Sequence, residues 1–395
     1  MAHPPQLPGP VLGLESSCDE TAAALVWRGQ VLSSRVASQV ALHQRFGGVV
    51  PEVAARNHLL TVLPALELAL ADAGVTPKQL AGIAVTNRPG LIGALLVGVQ
   101  TAKVLAYTWG LPLIGVDHIR AHAWAGFLRH PQESQPQPQK FPLAALVVSG
   151  GHTSLYRVDG PDEWSLLGRT LDDAAGEAFD KFAKILGLAY PGGPEVDRLA
   201  ALGNASAVAL PRGMFGRSDG AYSFSGLKTA ARLQIESMGG AEAISESQRA
   251  DLCAAFQGAL VEQTVRVTLE SLRRHGLRDL LLCGGVAANQ GLRNAFAVAC
   301  GRARVRFWPV PVRWCGDNAA MVAALGEALL QHGHRDDPRL LDAQATGEVR
   351  RAAAAASAAS TASAASSSAA SASRSLAPPS LKPASPPASR PQRQP

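Results

Sequence analysis

His118-Ile119-Arg120-Ala121-His122 sets two imidazoles at i and i+4. On a helix that spacing puts both rings on one face, where they can chelate a single metal ion. The metalloprotease signature is not met. Its general base must follow the first His directly, and here that position is Ile119, with Arg120 after it. Asp317, in Cys315-Gly316-Asp317-Asn318, precedes a helix and offers a third ligand. Its alternative role is a helix N-cap, which Asp fills well.

A second acidic stretch, Asp172-Asp173-Ala174-Ala175-Gly176-Glu177-Ala178-Phe179-Asp180-Lys181, opens a helix with its carboxylates early, as the helix dipole favours. Asp173, Glu177 and Asp180 share a face. Glu177 with Lys181, and Asp180 with Lys184, have the spacing of i, i+4 ion pairs. One outcome is a solvated, salt-bridged face. The other is a site in which Asp180 accepts hydrogen bonds from ribose hydroxyls, with the rigid turn Tyr190-Pro191-Gly192-Gly193-Pro194 approaching the same ligand.

Three apolar strands run into turns of small residues. They are Val11 to Glu15 into Ser16-Ser17-Cys18-Asp19-Glu20-Thr21, Leu146 to Ser149 into Gly150-Gly151-His152-Thr153, and Leu281 to Cys283 into Gly284-Gly285, with Ala288-Asn289 opening a helix. Such turns let backbone N–H groups approach an anion, and a helix N-terminus adds partial positive charge. Each alone would pass as a tight connection. No G-x-G-x-x-G or P-loop sequence is present.

These turns need elements to hold them. Val11–Glu15, Thr21–Trp27 and Val31–Ser38 have the pattern of strands, Pro51–Ala73 of a helix, Ala81–Thr86 of a strand and Leu91–Trp109 of a helix, followed by strand Leu111–Val116. The same order then recurs. Strands Leu143–Ser149, Ser154–Val158 and Trp164–Arg169 lead into helix Ala174–Leu186, and later come helix Gln248–His275, strand Asp279–Cys283 and helix Ala288–Cys300. Each half opens with three strands before its first helix, which suggests duplication: two α/β lobes around a cleft. The lobes are expected at 11–130, completed by about 317–340, and at 141–316. His130 to Pro142, rich in Pro and Gln, separates them. Residues 349–395, rich in Ala, Ser and Pro, have little to bury and are expected to form a disordered tail.

The chain has 395 residues, 47% of them hydrophobic, which suffices for two cores. Five cysteines without a C-x-x-C pair argue against a disulfide framework or a zinc ribbon. The Pro-rich N-terminus has no apolar signal core, and Leu91 to Val116 is interrupted by Gln100, Thr101, Lys103 and Pro112. A cytoplasmic protein with no membrane partner is therefore expected. The net charge of +6 equals the six Lys and Arg found after Glu348, where no acidic residue occurs. The globular part is balanced, and charge alone does not mark it as nucleic-acid-binding.

Together these stretches resemble the tRNA N6-adenosine threonylcarbamoyltransferase (TsaD) family over about residues 11–340. The resemblance rests on Glu15 to Thr21, Gly47-Gly48-Val49-Val50-Pro51-Glu52, the His118/His122 pair, Val148 to Thr153, Asp173 to Lys181 and Tyr190 to Pro194. It continues through Ser223-Phe224-Ser225-Gly226-Leu227-Lys228-Thr229, Gly284-Gly285-Val286-Ala287-Ala288-Asn289 and Asp317-Asn318. It implies an actin-like ATPase (ASKHA) fold and one divalent metal ion on His118, His122 and Asp317, iron favoured and zinc the alternative. It implies contacts from Val147, Val148, Ser149, Gly150, Gly151, Asp180, Gly193, Asp197 and Asn289 to threonylcarbamoyl-AMP, with tRNA as acceptor. Implied partners are a TsaB-like paralogue and a TsaE-like ATPase. Asp19 or Glu20 is the candidate proton acceptor. A sugar or acid kinase of the same fold is the rival enzyme, and a non-catalytic scaffold the rival of another kind. One departure falls at Thr86-Asn87-Arg88-Pro89-Gly90, where the family has a small residue before Pro-Gly and Arg88 adds bulk and charge.

Overall fold

The structure, a computed structural model, describes residues 5–130, 140–212 and 220–347. Most of the 130–142 break and the tail beyond residue 348 lie outside the described residues.

The N-terminal half begins with β1 (Val11–Glu15), β2 (Glu20–Trp27) and β3 (Gln30–Ser38). Helices α1 (Val40–Gln44) and α2 (Pro51–Ala73) precede β4 (Gly82–Arg88), α3 (Ile92–Trp109), β5 (Leu113–Asp117) and α4 (His118–Trp124). The second half repeats the opening with β6 (Leu143–Val148), β7 (Thr153–Val158) and β8 (Trp164–Arg169). Then come α5 (Ala175–Ile185), α6 (Gly192–Ala200), α7 (Ser225–Ser237), α8 (Glu246–Arg274), β9 (Asp279–Cys283), α9 (Gln290–Ala303), β10 (Arg306–Pro309) and α10 (Ala319–Gln331).

The duplication expected from three leading strands is present in the pairing itself. One sheet has the order β3-β2-β1-β4-β5 and the other β8-β7-β6-β9-β10. In each, the first three strands form an antiparallel meander, and the remaining two join the first strand in parallel. The central strands β1 and β6 are buried at every residue, as strands covered on both faces must be.

Helix α10, last in the described chain, returns to the first sheet and packs on β1, β2 and β4. Its approach is close. A Cβ on Gly13 would lie 2.3 Å from the Ala319 carbonyl. Helix α4 packs against α10 and also against β6 and β9, so it bridges the two sheets. Helix α3, which is apolar enough to draw attention as a membrane span, instead buries Leu95, Gly98, Val99 and Ala102 and packs on α2 and β4. In the second half, Phe182 of α5 stacks on Phe256 of α8 with ring centroids 4.0 Å apart. Such a pair adds about 0.5–1.5 kcal/mol beyond its buried area, and it anchors the helix that carries Asp180.

Candidate metal centre and nucleotide cleft

The His pair lies on α4, which starts directly where β5 ends. Asp117 caps this helix, its carboxylate accepting from the N–H groups of Ile119 (3.0 Å) and Arg120 (3.2 Å). The two rings meet edge-on with centroids 4.7 Å apart. Asp317 reaches them from the start of α10. The N-cap there is the next residue, Asn318, whose side chain accepts from Met321 N–H at 3.0 Å. The alternative role of Asp317 as a cap is thereby taken, and its carboxylate is left to face the histidines. Oδ1 stands 3.5 Å from His118 Nε2 and 3.2 Å from His122 Nε2. One ligand atom from each residue fits within 4.8 Å of the other two.

The sequence alone gives Glu15 no role beyond its place in the Glu15 to Thr21 stretch. Glu15 is 1% exposed, at the end of β1, and its Oε2 lies 3.0 Å from His118 Nδ1. The same carboxylate accepts from Ser17 N–H and Thr86 Oγ1, both at 2.6 Å. A carboxylate ending an otherwise apolar buried strand was the available signal. Glu15 accepts the His118 Nδ1 proton and so turns Nε2 toward Asp317 and His122, where a cation would take the place of the Nε2 proton. This is the carboxylate–imidazole arrangement of metal sites.

The electrostatics agree. Burial opposes charge on His118, but Asp317 and Glu15 together outweigh it and hold the ring well above its ordinary pKa. Burial likewise opposes charge on Asp317, and the two histidines outweigh it, keeping the carboxyl well below its usual range. His122 is fully buried, and neither of its ring nitrogens has a hydrogen-bond partner among the described residues. Its Nε2 is close to Asp317 but not aligned for a hydrogen bond. A buried imidazole in that state is costly, and a cation taking the Nε2 lone pair relieves the cost. The donor set and its packing therefore fit a metal ion.

The triad borders a cavity of about 690 Å³ lined by Cys18, Asp19, Gly150, Gly151, His152 and Asp180, among others. Gly150 and Asp180 are shared with a second pocket of about 450 Å³, which adds Phe179, Gly193, Asp197, Gly285 and Asn289. All three small-residue turns line these cavities, and the second and third pack closely together. Gly284 sits at φ +93°, and a Cβ on it would lie 2.4 Å from the Val148 carbonyl. Gly176 lets α5 press onto the second turn, since a Cβ there would lie 2.7 Å from Gly150 Cα.

The candidate residues do not all face the cavities. Ser149, Gly150, Gly151, Asp180, Gly193, Asp197 and Asn289 line them, whereas Val147 and Val148 are wholly buried within β6. Asp180 does not pair with Lys184. Its Oδ1 accepts from Gly192 N–H at 2.8 Å, because Tyr190 to Pro194 turns back over it and opens α6 instead of remaining a loop. Burial raises the Asp180 pKa despite that bond. The expected Glu177–Lys181 pair forms, at 2.8 Å. Asp197 accepts from Gln290 N–H at 2.9 Å and so anchors the start of α9, while Asn289 caps that helix through Leu292 N–H. Asp19 lines the central cavity. Glu20 does not, and burial together with Asp19 raises its carboxyl to about 9. Arg88 also points elsewhere. Its Nε is 3.5 Å from Asp117 Oδ2, and it lines a separate pocket with Asp336 and Leu341, while Pro89 and Gly90 line the cleft.

A family model described as tRNA N6-adenosine threonylcarbamoyltransferase matches residues 30–324. The chain belongs to this TsaD family. A relative of that name from Sorangium cellulosum (strain So ce56) is 52% identical over 334 residues, 82% of this chain and 93% of its own length. Another from Trichlorobacter lovleyi (strain ATCC BAA-1151 / DSM 17278 / SZ) is 49% identical over 344 residues, 87% of this chain and 98% of its own. Among solved structures, T. kodakarensis HypF superposes with a TM-score of 0.53 at 15% identity, covering 83% of this chain and 48% of that one. That likeness bears on fold alone, and with the repeated sheet order it gives this TsaD-family chain an actin-like ATPase (ASKHA) architecture.

Proposed function

We propose that this enzyme transfers the threonylcarbamoyl group of threonylcarbamoyl-AMP to the exocyclic amine of the tRNA adenosine at position 37. Family membership supports the reaction. The observation that carries the site is the convergence of His118, His122 and Asp317 beside a cavity that shares Gly150 and Asp180 with the pocket of Gly193, Asp197 and Asn289. The lobes we assign are 11–130, completed by 317–340, and 141–316. The return of α10 to the first sheet supports the completion.

His118, His122 and Asp317 would hold one divalent ion, iron in preference to zinc, which as a Lewis acid would polarise the carbamoyl carbonyl. Glu15 orients His118. Asp180 and Asn289 face the adenosine of the donor, with Gly193 and Asp197 beside them. Ser149, Gly150 and Gly151 offer backbone donors to its phosphate, and Val147 and Val148 hold that turn from within the sheet. The amine attacks the carbamoyl carbon, the carbon–oxygen bond to the phosphate breaks, and AMP departs. Asp19, which lines the cavity, takes the proton, whereas Glu20, raised to about 9, already holds its own proton near neutral pH and lies off the cavity. A TsaB-like paralogue would cover the apolar face of α2 at Leu59, Leu60 and Leu63, all exposed. A TsaE-like ATPase would assist, and the reaction would run in the cytoplasm.

The test is reconstitution with tRNA, threonylcarbamoyl-AMP and these partners, followed by nucleoside analysis of the tRNA. Threonylcarbamoyladenosine is the expected product. Phosphate transfer from ATP to a sugar or acid, with the tRNA unmodified, would overturn the assignment.

A further inference from the structure

A third cavity continues the row. It measures about 310 Å³ and shares Pro89, Gly151, His152 and Ala345 with the central one. The donor nucleotide occupies one end of this row in the reaction proposed above, and the acyl carbon lies in the middle. The remaining end is then available to the attacking amine.

The walls of that end have their own chemistry. Tyr156, Trp164 and Leu166 form an apolar side, with the Tyr156 and Trp164 rings edge-on at 5.6 Å. Arg120 and Arg169 supply positive charge. Arg120 Cζ stands 5.7 Å from the Trp164 ring centroid. Other basic side chains nearby are spoken for: Arg88 by Asp117, and Lys181 and Lys228 by Asp173. Among the described residues, neither Arg120 nor Arg169 lies within ion-pair distance of a carboxylate; the one carboxylate lining the pocket, Asp117, caps α4 and pairs with Arg88, so the two guanidinium groups outnumber it. Guanidinium suits phosphate oxygens, and a base leaving its stack needs an apolar wall to replace it. Arg120 also sits between His118 and His122 on a helix fixed by the Asp117 cap, which ties its position to the triad.

We propose that this third pocket is the acceptor subsite. It takes the unstacked acceptor nucleotide of the RNA, base against Tyr156, Trp164 and Leu166, with the adjoining phosphates on Arg120 and Arg169. The assignment presupposes threonylcarbamoyl transfer. The N6 lone pair enters from this side, and its proton leaves toward Asp19.

The test compares Arg120→Ala, Arg169→Ala and Arg169→Lys with the unaltered chain, each reconstituted with its partners. The tRNA KM and kcat are measured at several salt concentrations, and the Kd for threonylcarbamoyl-AMP is measured without tRNA. Metal content is checked because Arg120 neighbours the triad. Each Ala variant should raise the tRNA KM by about tenfold and lower its log–log salt slope by about one, with donor affinity unchanged. Arg169→Lys should retain most of the salt slope. Unchanged KM and slope in metal-replete variants would overturn the proposal, as would weakened donor binding at constant tRNA KM, which would give the pocket to the amino-acid end of the donor. Absence of the modified nucleoside with the unaltered chain would instead overturn the reaction itself.

Discussion

Replacing Glu15 by Gln changes one oxygen for an amide nitrogen at a position 1% exposed, yet it should loosen the metal centre. The carboxylate accepts from three donors: Ser17 N–H, Thr86 Oγ1 and His118 Nδ1. A Gln side chain keeps a single acceptor oxygen. If its amide nitrogen faces Ser17, donor meets donor and the charge opposite His118 is lost. If it faces His118, the ring must carry its proton on Nε2, the atom directed at Asp317. Either arrangement weakens one of three ligands. Loss of such a supporting partner costs about 10–100-fold in metal affinity, or about 1.4–2.7 kcal/mol. The unsatisfied buried group costs stability as well, about 1–3 kcal/mol. Competition against a chromophoric chelator measures the first, and urea unfolding of the metal-free chain the second. A folded Glu15→Gln protein whose metal Kd stays within about twofold of the unaltered chain would refute the role given to Glu15.

Gly176→Ala should drive α5 away from the Ser149–Gly150 turn, costing about 1–3 kcal/mol of stability and weakening donor binding; calorimetry with threonylcarbamoyl-AMP reads the second effect. The Glu20 carboxyl is raised from 4.5 to about 9 in the fold, so the folded chain holds that proton more tightly than the unfolded chain does. Its stabilising contribution is complete below pH 4.5 and is lost as pH climbs to about 9. Glu20→Gln removes this loss, so the variant's advantage in urea midpoint should grow across that window; a pH-independent difference would contradict the shift. Residues after Glu348 carry six Lys and Arg and no Asp or Glu, so truncation there should flatten the salt dependence of tRNA binding. An unchanged slope would make the tail a bystander.

Much of this arrangement was legible in the sequence, for identifiable reasons. β1, β8, β9 and α2 match their expected spans because apolar runs, a Pro in the first helical turn and flanking Gly residues mark their ends. The His pair stood out because the i, i+4 spacing is local. The partners that make it a site are not local. Glu15 meets His118 across 103 residues, and Asp317 arrives only because α10 folds back onto β1. Helices α6 and α7 were missed because Pro, Gly and Ser at their starts look like loops. Asp180 was expected to pair with Lys184, but tertiary folding brought the Gly192 N–H within reach first. Arg88 was expected to add bulk and charge before Pro89-Gly90, and Asp117 draws it aside from the cleft.

The central claim is that His118, His122 and Asp317 hold the metal on which threonylcarbamoyl transfer depends. Its most direct test is the His118→Ala/His122→Ala double variant, assayed for bound metal and for threonylcarbamoyladenosine in reconstituted tRNA. The account predicts about one divalent ion per unaltered chain, none in the variant, and no modified nucleoside from the variant although it still binds tRNA. Modification at the unaltered rate by a metal-free double variant would contradict it.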